Sequence, residues 1–239
     1  MSDAVQRMED YLMAGYDPDL GLIGESPNSN PNVYWLYSDN YLAYLALMKT
    51  APETSASIAR AMEGYSFRPL ERWHVLSGEV VWDALFAWGS KDVGITDRVR
   101  AETSSPALNM EDWQEYADRL LLAAINAFNR GDTNEASDLF VRAQEMFDDL
   151  GFQDKAFVEQ GYYDTYKLAL YVIAGSSLGM SAPERQSVIE LMLSLQENDP
   201  ASNRYGGVYT EYDDNLKPLP HTDTNTETTS LTILALLAK

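Results

Sequence analysis

Four stretches of the chain are apolar around most of a helical circumference, with small Ala, Ser or Thr between larger residues. They cover residues 40–48, 116–128, 163–173 and 227–238. A helix apolar all round belongs inside a layer of other helices. Four further stretches, 3–14, 53–64, 134–150 and 182–196, carry one apolar face and one polar face, as suits an outer layer. Thr133-Asn134-Glu135 and Ser181-Ala182-Pro183-Glu184 supply start signals for two of the outer helices. The order along the chain is outer then inner throughout. Inner-to-outer connections are short, around Thr50-Ala51-Pro52, Arg130-Gly131-Asp132 and Gly179-Met180-Ser181, and outer-to-inner connections are long. The alternation predicts one rim that gathers the long loops and the N-termini of the inner helices.

The long loops open alike, at Asp19-Leu20-Gly21-Leu22, Asp92-Val93-Gly94-Ile95, Asp149-Leu150-Gly151-Phe152 and Tyr205-Gly206-Gly207-Val208. One loop is exceptional. Residues 68–100 contain the alternating stretches Trp73-His74-Val75-Leu76 and Gly78-Glu79-Val80-Val81, read as a β-hairpin inserted into the helical frame. A short helix over 81–88 is the alternative reading. The expected fold class is all-α: a single domain over 1–239, with about four inner/outer helix pairs and this inserted hairpin.

Charge narrows the partners. Lys and Arg number 17 against 37 Asp and Glu, a net charge of −20. Such a surface repels nucleic acid and anionic membrane, so neither is expected as a partner. The chain has no cysteine and two histidines. That excludes disulfides, thiolate catalysis and Cys- or multi-His metal sites; no metal and no cofactor is expected. No signal pattern stands at the N-terminus and no apolar run reaches membrane-spanning length, which gives a cytoplasmic expectation. Asp213-Asp214-Asn215 and Asp17-Pro18-Asp19 offer hard oxygen ligands to calcium without matching an EF-hand loop. No phosphate loop, dinucleotide fingerprint or Gly-x-Ser-x-Gly elbow is present.

Leu195-Gln196, then Gly206-Gly207-Val208-Tyr209-Thr210, then Thr226-Glu227-Thr228-Thr229-Ser230 leading to Leu234-Ala235-Leu236-Leu237 form a Gln, Gly-Gly, Thr-helix succession. With the alternation of inner and outer helices, this resembles the α/α-toroid superfamily of six-hairpin glycosidases and lyases and of terpene-cyclase-like helical toroids. The resemblance implies a closed ring of paired helices with its site on the loop rim. The chain departs from it in having four pairs and not six. It lacks the Asp-rich motif of terpene cyclases and the Cys and His zinc ligands of protein prenyltransferases, so no catalytic residue carries over.

The rim residues supply the candidate chemistry. Asp39, Asp164 and Glu227 stand at inner-helix entries and are candidates for a general acid and a base or nucleophile, with Glu102 on the inserted loop as a further acid. Asp39 and Asp164 also occupy positions where acids cap helices or oppose the helix dipole. Trp35, Tyr37, Asn40, Tyr163, Lys167, Tyr209, Glu211 and His221 are candidate ligand contacts, the aromatic faces suited to stacking on a pyranose. Lys167 can instead pair with a neighbouring rim acid. The expected function is a carbohydrate-active hydrolase or lyase with a small-molecule or oligosaccharide ligand. The alternatives are a non-catalytic glycan- or peptide-binding or assembly module, and a small isoprenoid-type enzyme. The sequence leaves the oligomeric state open.

Overall fold

The computed structural model describes residues 3–65, 71–180 and 184–238. Eight helices carry the frame. The inner ones are α2 (Asp39–Leu47), α5 (Ala117–Asn129), α8 (Thr165–Leu178) and α10 (Thr226–Leu237). The outer ones are α1 (Asp3–Ala14), α3 (Pro52–Gly64), α6 (Thr133–Gln144) and α9 (Arg185–Ser194). Two shorter helices, α4 (Ala84–Ala87) and α7 (Lys155–Gln160), lie in the connections. α10 packs between α2 and α8, and α8 between α10 and α5. A 3-10 turn, Arg72–Ser77, bridges α5 back to α2, so the inner segments close on themselves. Each outer helix covers an inner one: α1 on α10, α3 on α2, α6 on α5 and α9 on α8.

Burial follows the periodicity. α8 encloses every residue from Lys167 to Gly175, whereas α1 buries only Val5, Met8, Glu9, Tyr11 and Leu12 along one stripe. The start of α6 is capped by Asp132, whose side chain accepts from Glu135 N at 3.1 Å, one residue earlier than the Thr133 signal suggests. The Ser181-Ala182-Pro183 signal lies outside the described residues.

The all-α expectation is overturned: among the described residues 16% are in strands or bridges beside 50% in helices, with three small sheets. β1 (Tyr16–Asp17) pairs antiparallel with β2 (Leu22–Ile23), and β6 (Tyr163–Asp164) with β7 (Glu211–Tyr212). The third sheet has β5 (Val99–Asn109) in the middle, parallel to β3 (Tyr34–Leu36) and antiparallel to β4 (Trp88–Gly94). Long connections that enter a buried rim must satisfy their backbone N–H and C=O groups, and strand pairing does this locally.

The hairpin also lies elsewhere than the alternation suggests. Trp73 to Leu76 belongs to the 3-10 turn, Gly78 to Val81 is irregular, and the hairpin is β4–β5. Four residues are too few to separate a period of two from a period of three. The true strands are masked by polar runs such as Gly89-Ser90-Lys91-Asp92 and Glu102-Thr103-Ser104-Ser105. Among the described residues no helix is long and apolar enough to cross a membrane.

Candidate functional site

The first turns of the inner helices meet at the rim, and carboxyl groups meet with them. Asp39 leads α2, Asp118 lies in the first turn of α5, Asp164 immediately precedes α8, and Glu227 lies in the first turn of α10. Glu25 joins them from the loop after β2, Glu71 and Arg72 from the entry to the 3-10 turn, and Glu102 from β5. β5 reaches the rim because it pairs with β3, the strand that feeds α2. Between β3 and Asp39, Tyr37 takes φ 67°. A bulky side chain occupies that left-handed region only at a cost, and the sharp corner sets Asp39 into the start of the helix.

Burial dominates the electrostatics. Asp39 is 4% exposed, and its carboxyl is pushed well above the usual range, first by burial and then by Glu227, Glu25 and Glu102. Glu227 is pushed up to about 8 by burial and by the charges of Glu102 and Glu25, with Arg72 opposing. Glu71 also rises to about 8, by burial and against the pull of Arg72, with Glu102 and Glu227 adding to the rise. Helix N-termini favour the ionised form, yet desolvation wins here. Glu227 and Tyr166 are surrounded by protein atoms yet keep some solvent-accessible surface. Groups lining a recess behave so, whereas groups sealed into a core do not. Burial, Asp118, Asp164 and Glu227 together hold the Tyr166 hydroxyl well above its ordinary value.

Several polar atoms here are enclosed without a partner. Among the described residues, Asp39 Oδ2, Glu71 Oε1 and Ser104 Oγ accept or donate no hydrogen bond. The cations, by contrast, are engaged. Arg72 Nη2 donates to Ser90 Oγ at 2.7 Å. Arg119 donates to the carbonyls of Trp88 and Phe86 at 2.8 and 3.3 Å, with its Nε 3.6 Å from Asp118. Burial and the neighbouring Arg72 lower the Arg119 guanidinium.

Asp39, Glu227 and Glu102 thus act on one another by charge. Asp164 differs: its side chain makes no cap hydrogen bond, and its Oδ2 lies 2.8 Å from Lys167 Nζ. Trp35 is half-buried beside the acids, donating Nε1 to Glu25 Oε2 at 2.6 Å, with the Arg100 guanidinium 5.9 Å from its ring centre. Glu211 and His221 share a smaller recess of roughly 170 Å³ with Glu25 and Asn225, the imidazole 3.5 Å from the Glu211 carboxylate.

The other candidates are taken up by packing. Asn40 accepts from Ile23 N at 2.7 Å and donates to the carbonyls of Ile23 and Trp35, tying α2 to β2 and β3. Tyr37 stacks on Tyr41 and meets His74 edge-on. Tyr163 is buried against Tyr212, its hydroxyl donating to Asp148. Tyr209 donates to Glu197 at 2.6 Å, away from the acid cluster. The two calcium candidates are turn carboxylates: Asp17 accepts from Asp19 N and Leu20 N, and Asp213 from Asn215 N and Lys217 N.

An open cavity of roughly 730 Å³ lies beside α1 among Tyr11, Tyr16, Tyr34 and Tyr205 and includes none of the clustered acids. No family model, no curated protein and no solved structure matches this chain. Functional inference therefore starts from the acids themselves. Glu25, Glu71 and Arg72 escape a reading of the sequence because they sit in irregular segments. One signal was available for Glu71-Arg72: adjacent opposite charges just before the apolar Trp73-His74-Val75-Leu76 run.

Proposed function

We propose that this chain cleaves glycosidic bonds at the recess framed by Asp39, Glu102 and Glu227. The observation that carries the reading is the pairing of Glu227, which keeps its proton at neutral pH, with Glu102, the charge that acts on it most. Glycoside cleavage needs one carboxylic acid and one carboxylate facing a common substrate. Glu227 donates its proton to the leaving oxygen as the bond to the anomeric carbon breaks. Glu102, as the base, takes a proton from the water that replaces the leaving group. Trp35 offers its half-buried ring to a pyranose face.

The test is turnover of oligosaccharides and chromogenic glycosides by the wild type and by Glu227→Gln, Glu102→Gln and Asp39→Asn. Loss of a general acid or base costs about 10²- to 10⁴-fold, so kcat should fall by that much in the first two while the folded state is retained. Full activity in all three variants sinks the assignment. Glycan binding by the wild type without turnover of any bound glycan would identify a non-catalytic binding module instead.

A further inference from the structure

The cavity of roughly 730 Å³ beside α1 is walled by four tyrosines and four prolines, and among the described residues no aliphatic side chain larger than alanine lines it. Two of the tyrosines are buried and fixed in place. Tyr11 accepts from Thr224 Oγ1 at 3.1 Å, and Tyr34 bonds to Asp17 at 3.2 Å and to Arg98 at 2.9 Å. The other two, Tyr16 and Tyr205, are half-buried, and their hydroxyls have no partner among the described residues. Most of the remaining polar groups in the wall are engaged. Asp17 accepts from Asp19 N, Leu20 N, Tyr34 and Arg98. Ser26 Oγ accepts from Asn30 N, and Thr226 Oγ1 donates to Gly24 O. Asp10 is exposed and keeps one oxygen free, since Gln6 Nε2 donates to Oδ1 alone. Among the described residues no Lys, Arg or His lines the cavity.

Such a wall selects its ligand. An anion meets Asp10 and Asp17 and finds no free cation. A hydrocarbon chain finds no aliphatic surface and covers two free hydroxyls. A sugar presents adjacent hydroxyls that call for paired donors and acceptors, and Asp17, Ser26 and Thr226 are already committed. A proline-rich segment fits what is left. As a polyproline II helix it offers ring faces and solvated carbonyls, and proline has no N–H to satisfy. Tyrosine and proline rings pack against its rings, and the two free hydroxyls donate to its carbonyls; aromatic-lined grooves hold proline-rich segments in this way. Fixed tyrosines and a preformed helix both keep the ordering cost low. Charge adds a second criterion: with Asp10 free and a net charge of −20, the chain favours a basic partner. We propose that this cavity docks a basic, proline-rich segment of a partner protein, with an Arg or Lys beside the proline run paired to Asp10. The proposal is independent of the glycosidase reading.

The experiment is fluorescence anisotropy at pH 7 and near-physiological salt with three labelled peptides: a decaproline with arginine at each end, the same run with glutamate at each end, and a glycine–serine peptide with arginine ends. All three are compared on the wild-type protein, so the comparison survives any variant that fails to fold. The arginine-ended decaproline is expected to bind at least about tenfold more tightly than either of the others, the factor that one charged contact or one packed anchor supplies. Tyr16→Ala and Tyr205→Ala should each weaken it by about fivefold or more. Asp10→Asn, at an exposed position, should shrink the preference for arginine over glutamate ends several-fold. No binding of the arginine-ended decaproline, binding no tighter than that of the glycine–serine peptide, or an affinity unchanged in all three variants overturns the proposal. So does binding of maltohexaose or cellohexaose that is lost in Tyr205→Ala while decaproline does not bind, which would make the cavity a glycan site. Glycoside turnover dependent on Glu227 is read in a separate assay, so either reading can fail alone.

Discussion

Lys167 holds two carboxylates at once: its Nζ lies 2.9 Å from Asp154 Oδ2 and 2.8 Å from Asp164 Oδ2, with the lysine side chain 2% exposed. Burial alone would lower the ammonium, but Asp164, Asp118 and Asp154 raise it instead. Asp154 is itself enclosed and accepts from Ala117 N and Phe157 N, so it ties the starts of α5 and α7 to α8. The triad is therefore a structural joint between the starts of α5, α7 and α8.

Removing one partner of a buried pair strands the other. Lys167→Met should destabilise the fold by about 3–5 kcal/mol, read from urea unfolding at pH 7. Asp164→Asn should cost less, because Asp154 still pairs with the lysine. A Lys167→Met protein as stable as the wild type would show that the joint contributes nothing.

The lysine also marks where the sequence can and cannot be read. Asp164 and Lys167 are three apart at a helix start, a spacing that places them together from sequence alone. The inner and outer helices are legible because apolar periodicity is a local signal, and so are Asp39 and Glu227, which sit at inner-helix starts. The strands are not. β3 is three residues long and finds β5 more than sixty residues later; no local pattern announces such a pairing. Glu102 is legible only as an acid on a loop, because its approach to Glu227 depends on that pairing. Tyr163 reads as a stacking platform until the β6–β7 pair sets it against Tyr212. The Gly-apolar openings share a sequence and not a conformation: Gly21 and Gly206 take positive φ, while Gly94 ends a strand.

Stability should fall as pH rises from about 4.5 to 8. Glu227 and Glu71 both have folded-state values near 8 against 4.5 for the free carboxyl. In that window the native state binds more protons than the unfolded chain, so each added pH unit costs native stability. The carboxyls held below their ordinary range, Asp17, Asp223 and Glu197, act in the opposite direction but only below about pH 4.5. Glu71→Gln should therefore flatten the slope and leave the protein more stable than the wild type at pH 8, by roughly 1 kcal/mol or more. Chemical unfolding at pH 5 and pH 8 measures both quantities; a wild-type stability that rises across this interval contradicts the burial argument.

Gly206 permits the loop before β7 to press on α1. Its φ is 89°, and a Cβ there would overlap the carbonyl of Arg7. At the next residue a Cβ would lie 2.7 Å from both Thr224 Cβ and the Tyr11 ring. Backbone cannot step aside as a flexible side chain can, and the left-handed conformation adds its own cost. Gly206→Ala should destabilise by about 2–4 kcal/mol, visible as a lowered thermal midpoint. Because α1 packs on α10, the damage should extend to the helix that carries Glu227. An alanine variant of wild-type stability would mean that the loop can lift from α1 at little cost.

The proton on Glu227 offers the sharpest check of the mechanism. With its carboxyl near 8 in the unliganded protein, the proposed mechanism requires kcat/KM to hold through neutrality and fall above about pH 8, since that parameter reports the acid before substrate binds. Glu25 helps keep the proton in place by charge, second only to Glu102 among the charged neighbours, and the proposed mechanism gives it no step of its own. Removing its charge makes ionisation of Glu227 easier. Glu25→Gln should therefore move the alkaline limb of the profile downward, toward neutral pH. The same change weakens the acceptor for Trp35 Nε1, so KM rises as well, and the shift of the limb separates the electrostatic role from that packing effect. An alkaline limb at the wild-type position in Glu25→Gln would show that Glu227 is not the group whose proton the reaction consumes.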